Sequence, residues 1–191
     1  MEEEKVKDAL VVNLYGGPSS GKSTIAAGVF SLLKLHGVVC ELVTEFAKDL
    51  VWEDRDKTLH DQHYIFGKQH HRMWRLKDKV DVIITDSPII LSIIYKPKTI
   101  GDGFDRSVIE ANNNFNNFNV FLKRVFYSEL GRKHDEEQAK GIDSLIKTLL
   151  LNNGIVWWET TGNFEGLNII THKILDKLNV DRKLLLSTIT L

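Results

Sequence analysis

Short apolar runs alternate with amphipathic stretches along most of the chain. Runs rich in apolar and β-branched residues are typical of buried strands, and apolar residues repeating every three or four positions predict helices. The predicted strands occupy residues 10–15, 38–44, 80–85, 120–123 and 155–158. The predicted helices occupy residues 23–36, 46–52, 59–79, 88–95, 104–113, 136–151 and 164–178. This alternation indicates an α/β protein whose parallel sheet is covered by helices on both faces.

Turn and capping residues mark several boundaries of these elements. Gly37 is placed to end the first helix in a left-handed conformation, and Thr58 with Asp61 resembles a capping box for the third helix. The asparagine-rich run 112–119 is interpreted as a surface connection, with substrate binding as the alternative, because Asn is above all a turn residue. Since no repeat, linker or shift in composition marks a boundary, one domain is predicted for residues 1–191.

Composition and charge narrow the class of protein. The 191 residues are 42% hydrophobic, enough for one well-buried core, and the net charge of −1 gives no overall attraction to nucleic acid or membranes. The single cysteine, Cys40, lies in an apolar run and is expected to be a core thiol in a reducing compartment. Residues 1–4 lack the basic start of a secretory signal, and no apolar run approaches the roughly 18 residues that span a bilayer. We therefore predict a cytoplasmic protein that does not bind membranes.

A loop rich in glycine and serine joins the first predicted strand to the first helix. Its residues are Gly16, Gly17, Pro18, Ser19, Ser20, Gly21, Lys22, Ser23 and Thr24. This is the spacing of a Walker A loop, in which glycines let backbone N–H groups and the helix N-terminus point at a phosphate. Lys22 is expected to reach the β- and γ-phosphates of ATP, and Ser23 to ligate Mg²⁺. The alternative is an ordinary turn before a helix.

Polar residues follow the other predicted strands of the first two thirds of the chain. Glu45 ends the second strand, Asp86 the third and Arg124 the fourth. Because ligands bind beyond the carboxyl ends of parallel strands, these side chains are expected to gather near the loop. Asp86 is at the Walker B position, where a carboxylate holds Mg²⁺ directly or through water, although an Asp also commonly opens a turn.

Taken together, these motifs resemble the NadR-type P-loop kinases, relatives of bacterial nicotinamide riboside kinase whose small members are often encoded by phages. The motifs that carry the resemblance lie at residues 16–24, 44–48, 61–62, 69, 85–88 and 131–132. A more distant resemblance is to deoxynucleoside and thymidylate kinases. The resemblance to the NadR-type kinases implies a three-layer α/β/α sandwich with a five-stranded parallel sheet of order 2-3-1-4-5, and phosphoryl transfer from ATP. It leaves the acceptor open.

The segment at about residues 125–135 resembles a kinase lid between the fourth strand and the next helix. Arg132, which follows the possible hinge Gly131, is expected to act catalytically, and Arg124 to bind the nucleotide. A guanidinium can grip two phosphate oxygens as a lid closes. The alternative is a solvated basic loop.

The acceptor side of the site is assigned to four residues. Glu45 fits a general base for a sugar hydroxyl, with a neighbour of a helix N-cap or a simple substrate ligand as alternatives. Gln62 and Gln69 are seven positions apart on one helix face and could hydrogen-bond a base or sugar. Arg72 is placed with them, in a basic stretch at 68–77 that could follow a DNA backbone or simply be solvated.

The sequence therefore predicts a Mg²⁺-assisted, ATP-dependent kinase that phosphorylates a nucleoside or nucleotide-like small molecule. One alternative is a kinase acting on a hydroxymethylated base in DNA, which the basic stretch and the phage-like resemblance suggest. The other is a regulatory P-loop ATPase without a small-molecule acceptor. If the chain is phage-encoded, the host cytoplasm is its expected location. The pattern assigns neither an oligomeric state nor a role to the tail after Asn179.

Overall fold

The computed structural model describes residues 8–127 and 135–180. Five strands form one parallel sheet in the order β2-β3-β1-β4-β5. The strands are β1 (Leu10–Tyr15), β2 (Cys40–Val43), β3 (Val82–Thr85), β4 (Asn116–Lys123) and β5 (Trp158–Thr161). The helices are α1 (Lys22–Leu35), α2 (Phe46–Trp52), α3 (Asp56–Leu59), α4 (Gln62–Trp74), α5 (Ser92–Tyr95), α6 (Asp102–Asn113), α7 (Glu136–Asn152) and α8 (Phe164–Leu178), with a 3₁₀ turn at Ile89–Leu91. The strand order implied by the resemblance is confirmed.

Helices cover both faces of the sheet, which gives the three-layer α/β/α architecture. On one face, α1 and α8 pack buried residues such as Val29 and Ile170 against the strands. On the other face, α4, α6 and α7 contribute Met73, Val108 and Ile146 to two further apolar clusters. Burial on both sides explains the nearly continuous apolar character of the central strands.

β1 lies at the centre of the sheet and is buried along its whole length. It pairs in parallel with β3 on one side and with β4 on the other, so that Leu10 lies opposite both Val82 and Asn116. The loop after β1 therefore sits at the middle of the carboxyl edge. The ends of β3 and β4 flank it.

The prediction of a surface connection at residues 112–119 is wrong for its second half, because β4 begins at Asn116. Asn13 Nδ2 donates to Asn117 Oδ1 at 2.8 Å and to Asn119 Oδ1 at 3.1 Å, and Asn119 Nδ2 donates to the Val156 carbonyl at 3.1 Å. Asparagines disfavour strands when their amides are unpaired, since a buried polar group without a partner is costly. Here the Asn13 amide nitrogen bonds both asparagines of β4, and turn propensity is overridden, while the buried Asn13 Oδ1 has no partner among the described residues.

The bounds of the fifth strand and of the third predicted helix also differ from the prediction. The fifth strand is expected at residues 155–158, but the N–H of Ile155 bonds the Leu150 carbonyl at 3.0 Å to close the end of α7, and the strand begins only at Trp158. The third predicted helix is shorter than 59–79, and Asp61 caps α4 by itself, accepting from the Tyr64 N–H. Thr58 takes no part in a capping box, because it lies within the short α3, which the pattern does not predict.

Cys40 is buried, as predicted. Burial raises the pKa of its thiol to about 11, so it stays protonated near neutral pH. Within residues 8–127 and 135–180, no helix combines the length and the apolar content needed to cross a membrane.

Candidate functional site

The loop between β1 and α1 has a backbone that only glycine adopts easily at two points. Gly16 has a φ of 139° and Gly21 a φ of 86°, and Ser19 also lies in the left-handed region at 63°. A Cβ on Gly16 would lie 2.5 Å from Ser20 Oγ, and one on Gly21 would lie 2.8 Å from the Gly162 carbonyl oxygen. The glycines thus permit both the turn and its close contact with the loop after β5.

α1 begins directly after Gly21, with Lys22, Ser23 and Thr24 in its first turn. Glycine at the N-cap carries no side chain that could accept from the first amides of the helix, so these donors can serve an anion. The Lys22 side chain folds back over the loop, where Nζ donates to the carbonyls of Gly16 at 2.7 Å and Gly17 at 3.1 Å. The loop, the helix N-terminus and the ammonium together suit a polyphosphate.

Ser23 and Asp86 meet at the junction of α1 and β3. Ser23 Oγ donates to Asp86 Oδ2 at 2.6 Å, whereas the buried Oδ1 of Asp86 has no hydrogen-bond partner among the described residues. Mg²⁺ prefers oxygen ligands and usually takes only one or two from the protein, completing its shell with waters and phosphate oxygens. No group of three or more His, Cys, Asp or Glu side chains that could hold a metal occurs within the described ranges. The Ser23 hydroxyl and the Asp86 carboxylate therefore fit Mg²⁺ that is bound together with phosphates.

A cavity of about 760 Å³, here called the Glu45 cavity, opens beside the loop at Pro18. Glu45, Lys48, Gln62 and Gln69 are among its polar lining residues. Its apolar and aromatic lining comes from α2, α3, α4 and the segment after β3, and includes Val51, Trp52, Leu59, Ile65, Leu91 and Tyr95. Trp52 is 78% exposed at the cavity. The cavity adjoins the loop and is lined mainly by apolar residues.

Glu45 is half-buried at the carboxyl end of β2. Burial raises the pKa of its carboxyl group above the ordinary value, the Lys22 ammonium lowers it, and the Asp86 carboxylate raises it. Burial also raises the pKa of the Tyr95 phenol, with a smaller contribution from the charge of Glu45. Glu45 is thus a more basic carboxylate than usual and lies within electrostatic reach of both Lys22 and Asp86.

Gln62 and Gln69 lie on one face of α4, as the spacing predicts, and both line the Glu45 cavity. The Gln62 side chain makes no hydrogen bond within the part of the chain that the structure describes. It lines the Glu45 cavity, where a ligand can reach its amide. The Gln69 amide is engaged within the protein, accepting from the Phe46 N–H at 2.9 Å and donating to Thr85 Oγ1 at 3.5 Å.

The structure places Arg72 away from the Glu45 cavity. Arg72 Nη2 pairs with Asp49 at 2.6 Å, Nη1 donates to the Thr44 carbonyl at 3.3 Å, and the guanidinium lies over the Phe46 ring. These contacts fix Arg72 on the outer side of α2, beside a separate groove that includes Lys68. The Arg72 guanidinium is thus engaged within the protein in this structure, and its assignment to the acceptor stays a prediction.

Arg124 lies against the outer side of the loop and is 8% exposed. Its Nε donates to the Pro18 carbonyl at 2.9 Å and its Nη2 to Asp143 Oδ2 at 2.9 Å, while Asp143 Oδ1 accepts from the Gly17 N–H at 2.5 Å. Arg124 thus braces the loop in this structure, and direct nucleotide binding by Arg124 stays a prediction. Asp143 is a functional candidate that the sequence did not reveal. Arg132 and most of the predicted lid lie outside the described residues.

A comparison with protein families matches the part of the chain that contains the candidate site. The model of a family described as AAA domain matches residues 11–166, which include the loop, Glu45, Asp86 and Asp143. A search of curated proteins found no match. Among solved structures, the chain is similar to the one titled "Crystal structure of APE1195", with 18% identity, a TM-score of 0.46, and coverage of 92% of this chain and 99% of that one.

Proposed function

Since the chain belongs to this AAA-domain family of P-loop NTPases, whose members generally bind a nucleoside triphosphate with Mg²⁺, we propose that it is a kinase that phosphorylates a hydroxyl of a nucleoside-like small molecule. The observation that carries the proposal is the Glu45 carboxylate, which faces a cavity of about 760 Å³ beside the phosphate-binding loop. A P-loop ATPase without an acceptor has no need of such a cavity. The proposal agrees with the resemblance to NadR-type riboside kinases.

The nucleotide side of the site uses the loop and its neighbours. The loop amides and the first turn of α1 bind the phosphates of ATP, and Lys22 neutralises the β- and γ-phosphates. Ser23 and Asp86 would hold Mg²⁺, which would neutralise charge on the transferring phosphoryl group. Arg132 of the predicted lid is assigned a further phosphate contact.

The lining of the Glu45 cavity favours a nucleoside as the acceptor. A volume of about 760 Å³ accommodates a base and a sugar, and Trp52 and Tyr95 in the lining offer faces against which a planar base can stack. The Gln62 amide can both donate to and accept from a base edge. Among the described residues, Lys48 is the one cation in the lining, which gives little support for a second phosphate on the acceptor.

Glu45 acts as the general base. As the acceptor oxygen bonds to the γ-phosphorus, the bond from that phosphorus to the β–γ bridging oxygen breaks and ADP leaves. The hydroxyl proton passes to the Glu45 carboxylate, whose raised pKa suits proton acceptance better than that of an ordinary glutamate. The positive charge of Lys22 acts on Glu45 and reduces the repulsion between the Glu45 carboxylate and the phosphates.

Transfer of label from γ-labelled ATP tests this proposal. The purified chain and Lys22→Ala are incubated with a panel of nucleosides, nucleotides and DNA that contains hydroxymethylated bases. We expect label on a nucleoside with the wild type and none with Lys22→Ala. Label on the DNA would favour the DNA-kinase alternative, and release of label only as inorganic phosphate would favour the ATPase. The basic residues of α4 line the separate groove that includes Lys68 and do not line the Glu45 cavity. Their placement therefore gives the DNA-kinase alternative no particular support.

A further inference from the structure

Gln69 is 4% exposed and bonds residues of two separate elements. Its Oε1 accepts from the Phe46 N–H at 2.9 Å, and its Nε2 donates to Thr85 Oγ1 at 3.5 Å. Thr85 Oγ1 in turn accepts from the Ser87 N–H at 3.1 Å. One amide side chain thus links the first turn of α2 to the end of β3.

The partners of Gln69 are the sequence neighbours of the two carboxylates of the site. Phe46 directly follows Glu45, and Thr85 directly precedes Asp86. Glu45 occupies the N-cap position of α2, yet its side chain makes no capping hydrogen bond. Because an N-cap side chain ordinarily accepts from the first amides of its helix, these donors need another acceptor. Gln69 supplies one from α4, and the Glu45 carboxylate is left to face the cavity.

We propose that Gln69 is a positioning residue for phosphoryl transfer, which holds the Glu45 carboxylate at a fixed place relative to Asp86 by bonding the backbone of Phe46 and the hydroxyl of Thr85. The inference rests on the proposed function, because it gives Glu45 the role of general base. It differs from the sequence-based interpretation, in which Gln69 binds the acceptor. One donor and one acceptor position of its amide are already engaged within the protein, which holds the side chain in place.

A double-mutant cycle separates these roles. Gln69→Leu, Glu45→Gln and the double variant are compared with the wild type, using the acceptor identified by label transfer. We expect Gln69→Leu to lower turnover by about tenfold or more, because small displacements of a catalytic group are costly, while the Michaelis constants for ATP and acceptor change by less than about twofold. In the Glu45→Gln background the same change should cost less than about twofold, because Gln69 then has no base to position.

Gln69→Glu provides a second readout that does not depend on tolerance of leucine. Glutamate keeps an acceptor for the Phe46 N–H, and the Thr85 hydroxyl can rotate to donate to it. The added charge joins the groups that already act on Glu45, which are Lys22, Asp86, Lys48, Asp49 and, through its own shift, Tyr95. A negative neighbour raises a carboxyl pKa, so the acid limb of the turnover profile should move to higher pH. Thr171→Val, a buried polar change in α8, controls for general loss of stability.

Three results would overturn the inference: a raised acceptor Michaelis constant with unchanged turnover in Gln69→Leu, losses that multiply in the double variant, or an acid limb that Gln69→Glu leaves in place. The proposed function fails separately. A wild-type protein that phosphorylates no hydroxyl acceptor contradicts the kinase assignment and the inference with it. An active wild type whose Gln69→Leu variant keeps wild-type turnover contradicts the inference alone.

Discussion

Ser23 and Asp86 lie 63 positions apart in the sequence, yet Ser23 Oγ donates a 2.6 Å hydrogen bond to Asp86 Oδ2. The bond joins the first turn of α1 to the end of β3, at the edge where the phosphate-binding loop lies. The second oxygen of Asp86 is buried without a partner among the described residues. A buried oxygen without a hydrogen-bond partner normally lowers stability. Its presence at Asp86 is consistent with an oxygen that binds a cation.

Asp86→Asn should raise the Mg²⁺ concentration that gives half-maximal turnover by about tenfold or more, because an amide is a weaker ligand than a carboxylate. The Ser23 hydroxyl can still donate to the amide oxygen, so the local fold should survive. Turnover is measured against Mg²⁺ concentration at saturating ATP. An unchanged Mg²⁺ dependence would reassign Asp86 to a structural turn.

Lys22→Ala should lower turnover by at least about 10², because it removes the ammonium that neutralises the transferring phosphates. ATP binding should weaken, while circular dichroism and thermal midpoint change little, since the Lys22 ammonium donates to carbonyls of the loop itself. Calorimetric titration with ATP measures the loss of binding. Normal turnover in a folded Lys22→Ala protein would be incompatible with the proposed kinase site.

Asp143→Ala should raise the Michaelis constant for ATP and lower the free energy of unfolding by about 2 kcal/mol, because it leaves Arg124 largely buried and unpaired and removes the acceptor for the Gly17 N–H. Asp143→Asn is the matched control, since its amide oxygen can still accept from Gly17 and only the ion pair is lost. It should bind ATP more tightly than Asp143→Ala. If both variants bind ATP as the wild type does, Asp143 does not shape the loop.

Glu45→Gln should raise the thermal midpoint near neutral pH. The folded-state pKa of Glu45 is raised, so the stability associated with its neutral form is fully present below the ordinary value of 4.5 and is lost as the pH rises through the folded-state pKa. Glutamine stays neutral throughout, so its advantage should vanish in acid. Thermal unfolding of both proteins across the pH range, with the exposed Glu110→Gln as control, checks this. A midpoint that does not rise near neutral pH would contradict the burial of a charged Glu45.

Local patterns were sufficient for much of the fold. The predicted bounds of β1, α2 and α8 agree with the structure because each has a clear apolar period and a turn or cap at its ends. The loop at residues 16–21 can be predicted equally well from the sequence, because its motif consists of consecutive residues. The same holds for Glu45 and Asp86, which follow directly from the ends of two apolar strands.

Features that depend on contacts between residues far apart in the sequence cannot be predicted from local patterns. Asn117 and Asn119 belong in a strand only because Asn13 lies opposite them on β1, and nothing near them in the sequence indicates that pairing. Asp143 contacts a loop 126 positions away. Gln69 was identified on the correct helix face, but its bonds to Phe46 and Thr85 come from packing of α4 across the ends of two strands.

Glu45→Gln tests the central claim, that Glu45 accepts the proton of a hydroxyl acceptor. The change keeps size and hydrogen-bonding capacity but removes the base. We expect turnover to fall by roughly 10² to 10⁴, the usual contribution of a general base. The Michaelis constant for ATP should change little, because Lys22, Ser23 and the loop still hold the nucleotide.

The deciding measurement is steady-state turnover of Glu45→Gln, with both Michaelis constants, on the acceptor that label transfer identifies. Lys22→Ala in the same assay provides the reference for a site that has lost its nucleotide contacts. We predict a fall in turnover of at least about 10² with an unchanged Michaelis constant for ATP. Turnover within about threefold of the wild type, well below the effect of removing a general base, would contradict it and favour an acceptor whose attacking oxygen is already ionised, such as a nucleoside monophosphate.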